Sequence, residues 1–436
     1  VEAAAAKTPD AVAERAAALD SVKLVDADPE AGVAVDALLG TGFEGEPRAR
    51  IAASIAQINR MRPSGVPVAA LDIPSGLNST TGQHSQCVTA DVTLSFGAIK
   101  RGSLLARDRC GEIVVLDIGL DDSHATTGSE SGAPSRELPA LIDREWVNSH
   151  LPSLRYDAHK GERKHLAIVG GGKGMPGAVV LAARSALRSG IGLLRAVVAP
   201  ENVAAVLSAA PSALISAWPT EAKALSAEVS DWADAIVIGP GLGRSSATRK
   251  LVERVVADNK CPVVLDADAL NVFEGDARGL KALLGGRPAL ITPHVAEFAR
   301  LTGGGKNVQA VLDARFDIGS ELAAMLSATV LLKGAPTVIF GAAGERLVSA
   351  RGTAALGTGG SGDILAGIAG TLLAQTGDAL TAACCAAWIH GRAAELCGYV
   401  RGTTLEDVIY ALPRAWNEND EQLTPPVLAR LPAVPQ

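Results

Sequence analysis

Basic clusters, aromatic side chains and long hydrophobic runs are all scarce in this sequence of 436 residues. Aromatic residues make up 3% of the chain and the formal net charge is −7, without a clustered basic stretch, which excludes an ordinary nucleic-acid-binding surface. The longest uncharged apolar run, 364–377, is interrupted by glycines and is too short to cross a bilayer. We therefore predict a soluble protein with neither nucleic acid nor a membrane as a partner.

The cysteines lack the spacing of a metal site or of a disulfide framework. There are six, none belongs to a C-x-x-C pair, and Cys384 and Cys385 are adjacent. This pattern favours reduced, buried thiols in a cytoplasmic protein.

Glycine and aliphatic residues, by contrast, are abundant. The sequence holds 46 glycines and is 48% hydrophobic, which predicts cores of Ala, Val, Leu and Ile in α/β layers. Short apolar strands alternate with helical stretches in two series, and the polar stretch 121–135 separates the series. We predict a first α/β domain at 1–122, a linker at 123–138 and a second α/β domain at 139–436.

The predicted strands of the second series share a common ending. At least five of them are followed by Gly, Asp, His or Lys. Because the carboxyl ends of parallel strands meet at one edge of a sheet, we expect a ligand site there. The stretches that follow these strands are 170–177, 239–243, 266–268, 292–294 and 333–337.

The stretch 352–374 joins a glycine-rich half to a small, apolar half. The pattern predicts a loop that gives way to a buried helix at Asp363, with free N–H groups and a helix dipole that favour phosphate. Gly359, Gly360 and Gly362 let the backbone approach an anion closely. A carboxylate beside such a cradle indicates a general base. An N-capping role accounts for Asp363 about equally well.

The second series resembles the dehydratase domain of the NAD(P)H-hydrate repair enzymes, members of the ribokinase-like superfamily. The resemblance extends from about residue 140 to about residue 416, and the motifs occur in the order typical of the family. They are H-K-G at 159–161, M-P-G-A at 175–178, G-P-G-L-G at 239–243, D-A-D-A-L at 266–270, T-P-H-x-x-E-F at 292–298, L-K-G-A-x-T at 332–337 and G-T-G-G-S-G-D at 357–363.

This resemblance implies an enzyme that uses ADP or ATP, with Mg²⁺, to convert the S form of hydrated NADH or NADPH back to the working cofactor. ADP is favoured over ATP, and Asp363 is the implied base. The resemblance places the hydrated dinucleotide at Ala178, Gly241, His294 and Asp363, although His294 by itself is equally consistent with a loop histidine. It places the adenine nucleotide at Lys333, Gly334, Ala335, Pro336, Thr337, Gly359, Gly360, Ser361 and Gly362.

The first series is similar to the Rossmann-like epimerase domain of the same family, through D-A-L-L-G-T-G at 36–42, L-D-I-P-S-G-L at 71–77 and F-G-A-I-K at 96–100. The similarity implies a substrate contact at Asp72, potassium ligands at Asp36 and Ser75, and a lysine near the epimerase site at Lys100. The glycine- and asparagine-rich loop that opens this domain in the family is not found. We therefore predict a partial domain that lacks its N-terminal part, an incomplete potassium site and no epimerase activity.

The family also suggests a homo-oligomer. Two other functions remain open. One is a small-molecule kinase of the ribokinase-like superfamily, and the other is a non-catalytic, dinucleotide-binding scaffold. Asp363 with its glycine cradle argues against the scaffold, and the M-P-G-A and T-P-H-x-x-E motifs argue against a sugar kinase.

Overall fold

The computed structural model describes residues 9, 12–13, 16–17, 32–120, 138–218, 229, 232–303, 307–418 and 423–434. The predicted linker at 123–138 lies outside these residues, apart from residue 138. The chain divides into two units, of which the first comprises Val1–Asp121 and Gln422–Val434 and the second is mainly Asp122–Glu421. The C-terminal segment therefore differs from the predicted range 139–436, because its strand Val427–Leu431 pairs within the first unit.

The first unit contains a five-stranded sheet whose first four strands are parallel. Their burial alternates or is nearly continuous, as the apolar patterns of the first series predict. The last strand is antiparallel to its neighbour. In sheet order the strands are Ala34–Asp36, Val68–Leu71, Val92–Phe96, Glu112–Leu116 and Val427–Leu431. The helices described in this unit are Ala49–Met61, Arg62–Ser64 (3₁₀), Arg101–Leu105 and Arg107–Cys110.

The second unit contains a ten-stranded sheet that is parallel over most of its width. Near one edge, strand Thr337–Phe340 is antiparallel to both of its neighbours, Thr329–Leu332 and Arg346–Ser349. In sheet order the strands are Ala140–Leu141, Arg346–Ser349, Thr337–Phe340, Thr329–Leu332, Ala289–Ile291, Val263–Leu265, Ala235–Ile238, His165–Val169, Leu193–Val198 and Leu214–Ala217.

Helices cover this second sheet, and none of the described helices in the chain is long and apolar enough to cross a membrane. In chain order the helices of the unit are Arg144–His150, Pro176–Arg188, Pro200–Asn202 (3₁₀), Val203–Ala209, Ser246–Asp258, Asp268–Asn271, Ala277–Leu284, Val295–Thr302, Val308–Asp313, Ser320–Leu326, Ala354–Leu356 (3₁₀), Ser361–Thr376, Ala379–Leu396 and Leu405–Trp416.

Helix Ser361–Thr376 is the buried helix predicted from the small, apolar half of the glycine-rich stretch. Its residues from Ile364 to Ala374 are all buried, which explains why the sequence shows no amphipathic period. A Cβ at Gly367 would overlap the Ala182 carbonyl oxygen, and one at Gly370 would overlap the side chain of Val237. Glycine is required at both positions because the helix packs closely on its neighbours.

Candidate active site

Five strand ends of the second unit meet at one edge of the sheet, as the repeated endings predict. The loops that follow the strands are joined by backbone hydrogen bonds. The N–H of Gly171 donates to the Pro240 carbonyl at 2.8 Å, and that of Lys333 donates to the Pro293 carbonyl at 2.9 Å. The Asp266 N–H donates to the last carbonyl of the neighbouring strand, at Ile238, at 3.1 Å. The candidate residues are therefore held in a continuous row.

An ion pair lies at the centre of this row. The Lys333 Nζ donates to Asp266 Oδ1 at 2.7 Å, and the Thr292 hydroxyl donates to the same oxygen at 2.8 Å. Asp266 is 1% exposed, and Glu297 Oε2 lies 4.0 Å from the Lys333 Nζ. Burial by itself would lower the pKa of Lys333, but the carboxylates of Asp266 and Glu297 outweigh it and raise that pKa. Lys333 is therefore held as a cation.

Asp363 stands beside this pair, as the third residue of helix Ser361–Thr376. The helix begins two residues before the predicted junction, because Gly360 takes a left-handed conformation (φ 101°) and forms the N-cap. The described residues offer no hydrogen-bond donor to the Asp363 carboxylate. The N-capping interpretation of Asp363 is therefore wrong.

The surroundings of Asp363 change its acidity. Burial, and then the negative charge of Asp266, raise the pKa of Asp363 to about 7, although Lys333 opposes this shift. A carboxylate whose pKa is near 7 can accept a proton at neutral pH and later release it. The geometry thus supplies a titratable carboxylate of the kind that proton transfer requires.

The first turn of the same helix packs directly on the ion pair. A Cβ at Gly362 would lie 3.1 Å from the Lys333 Nζ and 3.8 Å from Asp266 Oδ2. A side chain at this position would crowd the lysine, so glycine keeps the helix start and the ion pair in contact. The glycine-rich loop and the loop after strand Thr329–Leu332 thereby form one site.

The predicted phosphate cradle consists of fewer N–H groups than the sequence suggests. The Ser361 N–H donates to the Thr358 carbonyl at 3.2 Å, and the Ser361 hydroxyl donates to the Leu356 carbonyl at 2.7 Å. Ser361 therefore stabilises the loop itself. The N–H groups of Gly359, Gly360 and Gly362 find no acceptor in the part of the chain that the structure describes, and they lie at the positive end of a 16-residue helix.

Ala178 and Gly241, both predicted to bind the hydrated dinucleotide, lie next to each other. Gly241 has a φ of 60°, and a Cβ there would lie 3.1 Å from the Ala178 Cβ. The Gly172 N–H donates to the Gly241 carbonyl at 2.6 Å, and the Gly243 N–H donates to Asp268 Oδ2 at 2.8 Å. These bonds connect the loops 170–177 and 239–243 to the D-A-D segment.

His294 is the N-cap of helix Val295–Thr302. This capping role was not predicted from the sequence. Its Nδ1 accepts from the N–H groups of Ala296 (3.1 Å) and Glu297 (3.4 Å), and Glu297 Oε2 accepts from the His294 N–H at 2.9 Å. Burial lowers the pKa of His294, although the Glu297 carboxylate opposes the shift. A neutral His294 whose Nδ1 accepts carries its proton on Nε2. The side chain is half exposed and its Nε2 lies 3.5 Å from Glu297 Oε1, so a ligand would share this N–H with the carboxylate.

The segment 333–337 forms a tight turn after strand Thr329–Leu332. Gly334 has a φ of 153°, and its carbonyl accepts from the Thr337 hydroxyl at 3.0 Å. The guanidinium of Arg315 lies against the turn and donates to the Pro336 carbonyl at 3.0 Å. Arg315 belongs to no motif, so sequence reasoning missed it. Thr292 and Glu297 belong to the T-P-H-x-x-E-F motif, but their hydrogen-bond partners are visible only in the fold.

The first unit contains a second lysine–aspartate pair, at Asp72 and Lys100. The Lys100 Nζ donates to Asp72 Oδ1 and, at 3.0 Å, to the Phe96 carbonyl. Asp72 Oδ1 also accepts from the Phe96 N–H at 3.0 Å. Asp72 has a φ of 68°, a left-handed conformation that is uncommon for a non-glycine residue and is often found at functional sites.

Asp36 and Ser75, the predicted potassium ligands, are also brought together. The Ser75 N–H donates to Asp36 Oδ2 at 2.7 Å, and the Ser75 hydroxyl donates to Asp36 Oδ1 at 2.6 Å. Asp36 is fully buried, and burial raises its pKa in spite of these hydrogen bonds. Within the described residues, no group of three or more His, Cys, Asp or Glu side chains is arranged to hold a metal ion.

Comparison with known proteins finds matches in both units. A family model described as NAD(P)H-hydrate dehydratase matches residues 166–414, and one described as YjeF-related protein N-terminus matches residues 3–102. The bifunctional NAD(P)H-hydrate repair enzyme of Moorella thermoacetica is 34% identical over 416 residues, which cover 92% of this chain and 76% of that protein.

Solved structures resemble the second unit. The ADP/ATP-dependent NAD(P)H-hydrate dehydratase of Bacillus subtilis, co-crystallised with ATP/Mg²⁺, is 29% identical with a TM-score of 0.56, and the match covers 64% of this chain and 98% of that one. A ribokinase-like superfamily protein of Enterococcus faecalis is 24% identical with a TM-score of 0.57, covering 63% of this chain and 94% of that one. The predicted α/β, ribokinase-like fold is confirmed.

One prediction about the first domain needs correction. We predicted that its N-terminal part is lacking, but the match to the YjeF-related N-terminus begins at residue 3. The prediction depended on a single loop motif. Because residues before 33 carry no strand pattern, no other local feature marks where this domain begins.

Proposed function

We propose a function from one premise, which is that the chain belongs to the family of bifunctional NAD(P)H-hydrate repair enzymes. Its second unit dehydrates the S form of hydrated NADH or NADPH in a reaction that consumes ADP or ATP. The observation that carries this proposal is Asp363, a partly buried carboxylate with its pKa raised to about 7, beside Lys333 and the glycine-rich helix start.

The chemistry needs phosphate because hydroxide leaves the nicotinamide ring poorly. Asp363 accepts the hydroxyl proton while the hydroxyl oxygen bonds to the terminal phosphorus of the nucleotide, and the bond between that phosphorus and the leaving nucleotide breaks. The ring carbon–oxygen bond then breaks, and phosphate leaves with the electron pair. Loss of a proton from the neighbouring ring carbon restores the double bond of NADH or NADPH.

Two features support binding of the transferred phosphate at this place. The N–H groups of Gly359, Gly360 and Gly362 are unpaired in the described residues and lie at a helix N-terminus. Lys333 adds a positive charge that Asp266 keeps in position at 2.7 Å. Such prearranged groups stabilise the charge of a phosphoryl transfer without reorganisation.

The cations are proposed on the chemistry of the donors. Since the described residues form no carboxylate cluster for a metal, Mg²⁺ would be held mainly by nucleotide phosphates and water, as is usual for this ion. For K⁺, the buried Asp36 carboxylate has no cationic side chain as an ion-pair partner among the described residues. With the Ser75 hydroxyl it offers oxygen ligands that fit a hard cation.

For the first unit we propose epimerisation of the two hydrate forms, because Asp72 and Lys100 form a proton-donating and proton-accepting pair. The match from residue 3 removes the ground for predicting that this activity is absent. We further propose a cytoplasmic homo-oligomer that has no nucleic-acid or membrane partner. Light scattering of the purified chain would test the oligomeric state.

The decisive experiment mixes the chain with hydrated NADH and either ADP or ATP, and follows the return of the nicotinamide absorbance. We expect recovery that requires nucleotide and releases phosphate. Accumulation of a stable phosphorylated product would instead favour the small-molecule kinase. Binding of the hydrate without turnover, with either nucleotide, would favour the scaffold.

A further inference from the structure

Arg315 is a buried cation that is bonded to the backbone. It follows helix Val308–Asp313 and is 4% exposed, and burial lowers its pKa. No carboxylate among the described residues forms an ion pair with it. Its Nη1 donates instead to the Pro336 carbonyl at 3.0 Å and, more weakly, to the Lys333 carbonyl at 3.4 Å. A buried charge without a counter-ion costs stability, so its retention requires an explanation.

The turn above Arg315 is shaped around its guanidinium. A Cβ at Gly334 would overlap the guanidinium, so this glycine is required by close contact as well as by its φ of 153°. Three carbonyl oxygens of the turn accept hydrogen bonds from side chains. The Gly334 carbonyl accepts from the Thr337 hydroxyl, and the carbonyls of Lys333 and Pro336 accept from Arg315. The N–H groups of Gly334 and Ala335 have no acceptor in the described part of the chain, and both residues are exposed.

We propose that Arg315 is a positioning residue for the adenine nucleotide. It holds the carbonyls of the turn 333–337 inward, so that the unpaired N–H groups of Gly334 and Ala335 face the ligand. Its charge also lacks a carboxylate partner, and this charge favours an anion bound above the turn. The inference rests on the proposed nucleotide site. It goes beyond that proposal by naming the side chain that gives the turn its shape.

The chain contains a matched control in Arg287. Burial lowers its pKa too, and it also donates to carbonyls, at Leu284 (2.9 Å) and Val256 (2.7 Å). It stands just before strand Ala289–Ile291, at the amino end of the parallel strands and so at the edge opposite the candidate site. Arg287→Lys therefore removes a guanidinium that donates to backbone carbonyls, as Arg315→Lys does, but at a place far from the proposed nucleotide site.

The test measures ADP binding to the full chain by titration calorimetry, together with the melting temperature. Arg315→Lys keeps the positive charge but loses the planar guanidinium, which donates to two carbonyls of the turn. We expect the Kd for ADP to rise about tenfold, which is the effect of losing one charge-assisted hydrogen bond. The KM for the hydrate should change less than about twofold, an affinity difference of about 0.4 kcal/mol. Arg287→Lys should keep the parental Kd, even if its melting temperature falls as far.

Two results would overturn the inference: a Kd for ADP in Arg315→Lys within about twofold of the parent, or an equal loss in Arg287→Lys. Should Arg315→Lys fail to fold, Gly334→Ala displaces the guanidinium instead and must weaken ADP binding similarly, or the inference is wrong. A parent chain that binds neither ADP nor ATP would contradict the proposed function itself, which is a separate outcome.

Discussion

Each unit places a lysine–aspartate pair at the carboxyl ends of its parallel strands, and the two pairs have different surroundings. In the second unit, Lys333 and Asp266 are 2.7 Å apart, and the Asp266 side chain is almost fully buried. In the first unit, the side chain of Asp72, which pairs with Lys100, is 23% exposed, and its backbone lies in the left-handed region. The Asp266 oxygen is held by a threonine hydroxyl and the Asp72 oxygen by a backbone N–H.

The difference lies in what surrounds each pair. Beside Lys333 there is a third carboxylate, Asp363, and a helix start with unpaired N–H groups. Around Lys100 the described hydrogen bonds of the ammonium go to Asp72, Ser95 and the Phe96 carbonyl. Lys100 is also the N-cap of the short helix Arg101–Leu105, but the Gly102 N–H at this helix start donates to the Ser79 carbonyl at 2.7 Å. The proposed phosphoryl transfer therefore depends on the carboxylate and the helix start beside Lys333, and not on the ion pair alone. The first pair suits proton transfer, and the second suits proton transfer coupled to phosphate.

The largest expected effect separates these two roles. Asp363→Asn removes the proton acceptor, so turnover of the hydrate with ADP should fall by about 10²–10⁴, the usual contribution of a positioned base. Asp72→Asn should leave nucleotide-dependent turnover of the S form within about twofold of the parent, less than the contribution of any catalytic group. Single-turnover absorbance measurements on both variants would check this. Similar losses in the two variants would remove the distinction between the units.

Removal of each lysine should affect stability unequally. Lys333→Met leaves Asp266 buried without a cation, which should cost about 3–5 kcal/mol of unfolding free energy. Lys100→Met leaves a partly exposed Asp72 that water can solvate, and should cost about 1 kcal/mol or less. Urea unfolding of both variants measures this difference, and equal losses would contradict it.

Lys333 should also affect the two ligands unequally. Because it lies at the turn 333–337 and beside Gly362, its loss should raise the apparent KM for the nucleotide more than that for the hydrate. Steady-state kinetics on any folded Lys333 variant would measure both constants. An increase in the hydrate constant alone would show that the two pockets are assigned wrongly.

A smaller effect concerns stability as a function of pH. The pKa of Asp363 is raised to about 7 in the folded chain, so the folded state binds this proton more tightly than the unfolded state does. Stability should therefore decrease as the pH rises from about 4 to about 7. Asp363→Asn removes this loss, so the variant should be more stable than the parent at pH 8 and show no advantage near pH 4. Thermal melts at both values test the sign.

The sequence predicted the central strands well and the edge strands poorly. Strands Ala235–Ile238, Val263–Leu265 and Ala289–Ile291 end directly before the stretches 239–243, 266–268 and 292–294, as predicted, because they are continuous apolar runs that the fold buries. Leu214–Ala217 and Val427–Leu431 were missed, since their half-exposed residues leave no clear pattern. The pairing of Val427–Leu431 with a strand of the first unit depends on a contact between distant parts of the chain, which local patterns do not reveal.

The same limit applies to the candidate site. The glycine cradle was predictable because small residues and a helix start are local features. The acidity of Asp363 depends on burial and on Asp266, which is far away in the sequence. Arg315 and Thr292 act through hydrogen bonds to partners that only the fold brings near.

The central claim is that Asp363 is the base of nucleotide-dependent dehydration, and the pH dependence of kcat/KM for the hydrate tests it most directly. In the parent chain, kcat/KM should rise with pH through an apparent pKa near 7, as Asp363 loses its proton. The residual activity of Asp363→Asn should lack this rise, and the pH dependence of nucleotide binding, measured separately, should not account for it. An identical rise in parent and variant would show that another group titrates, and would contradict the account.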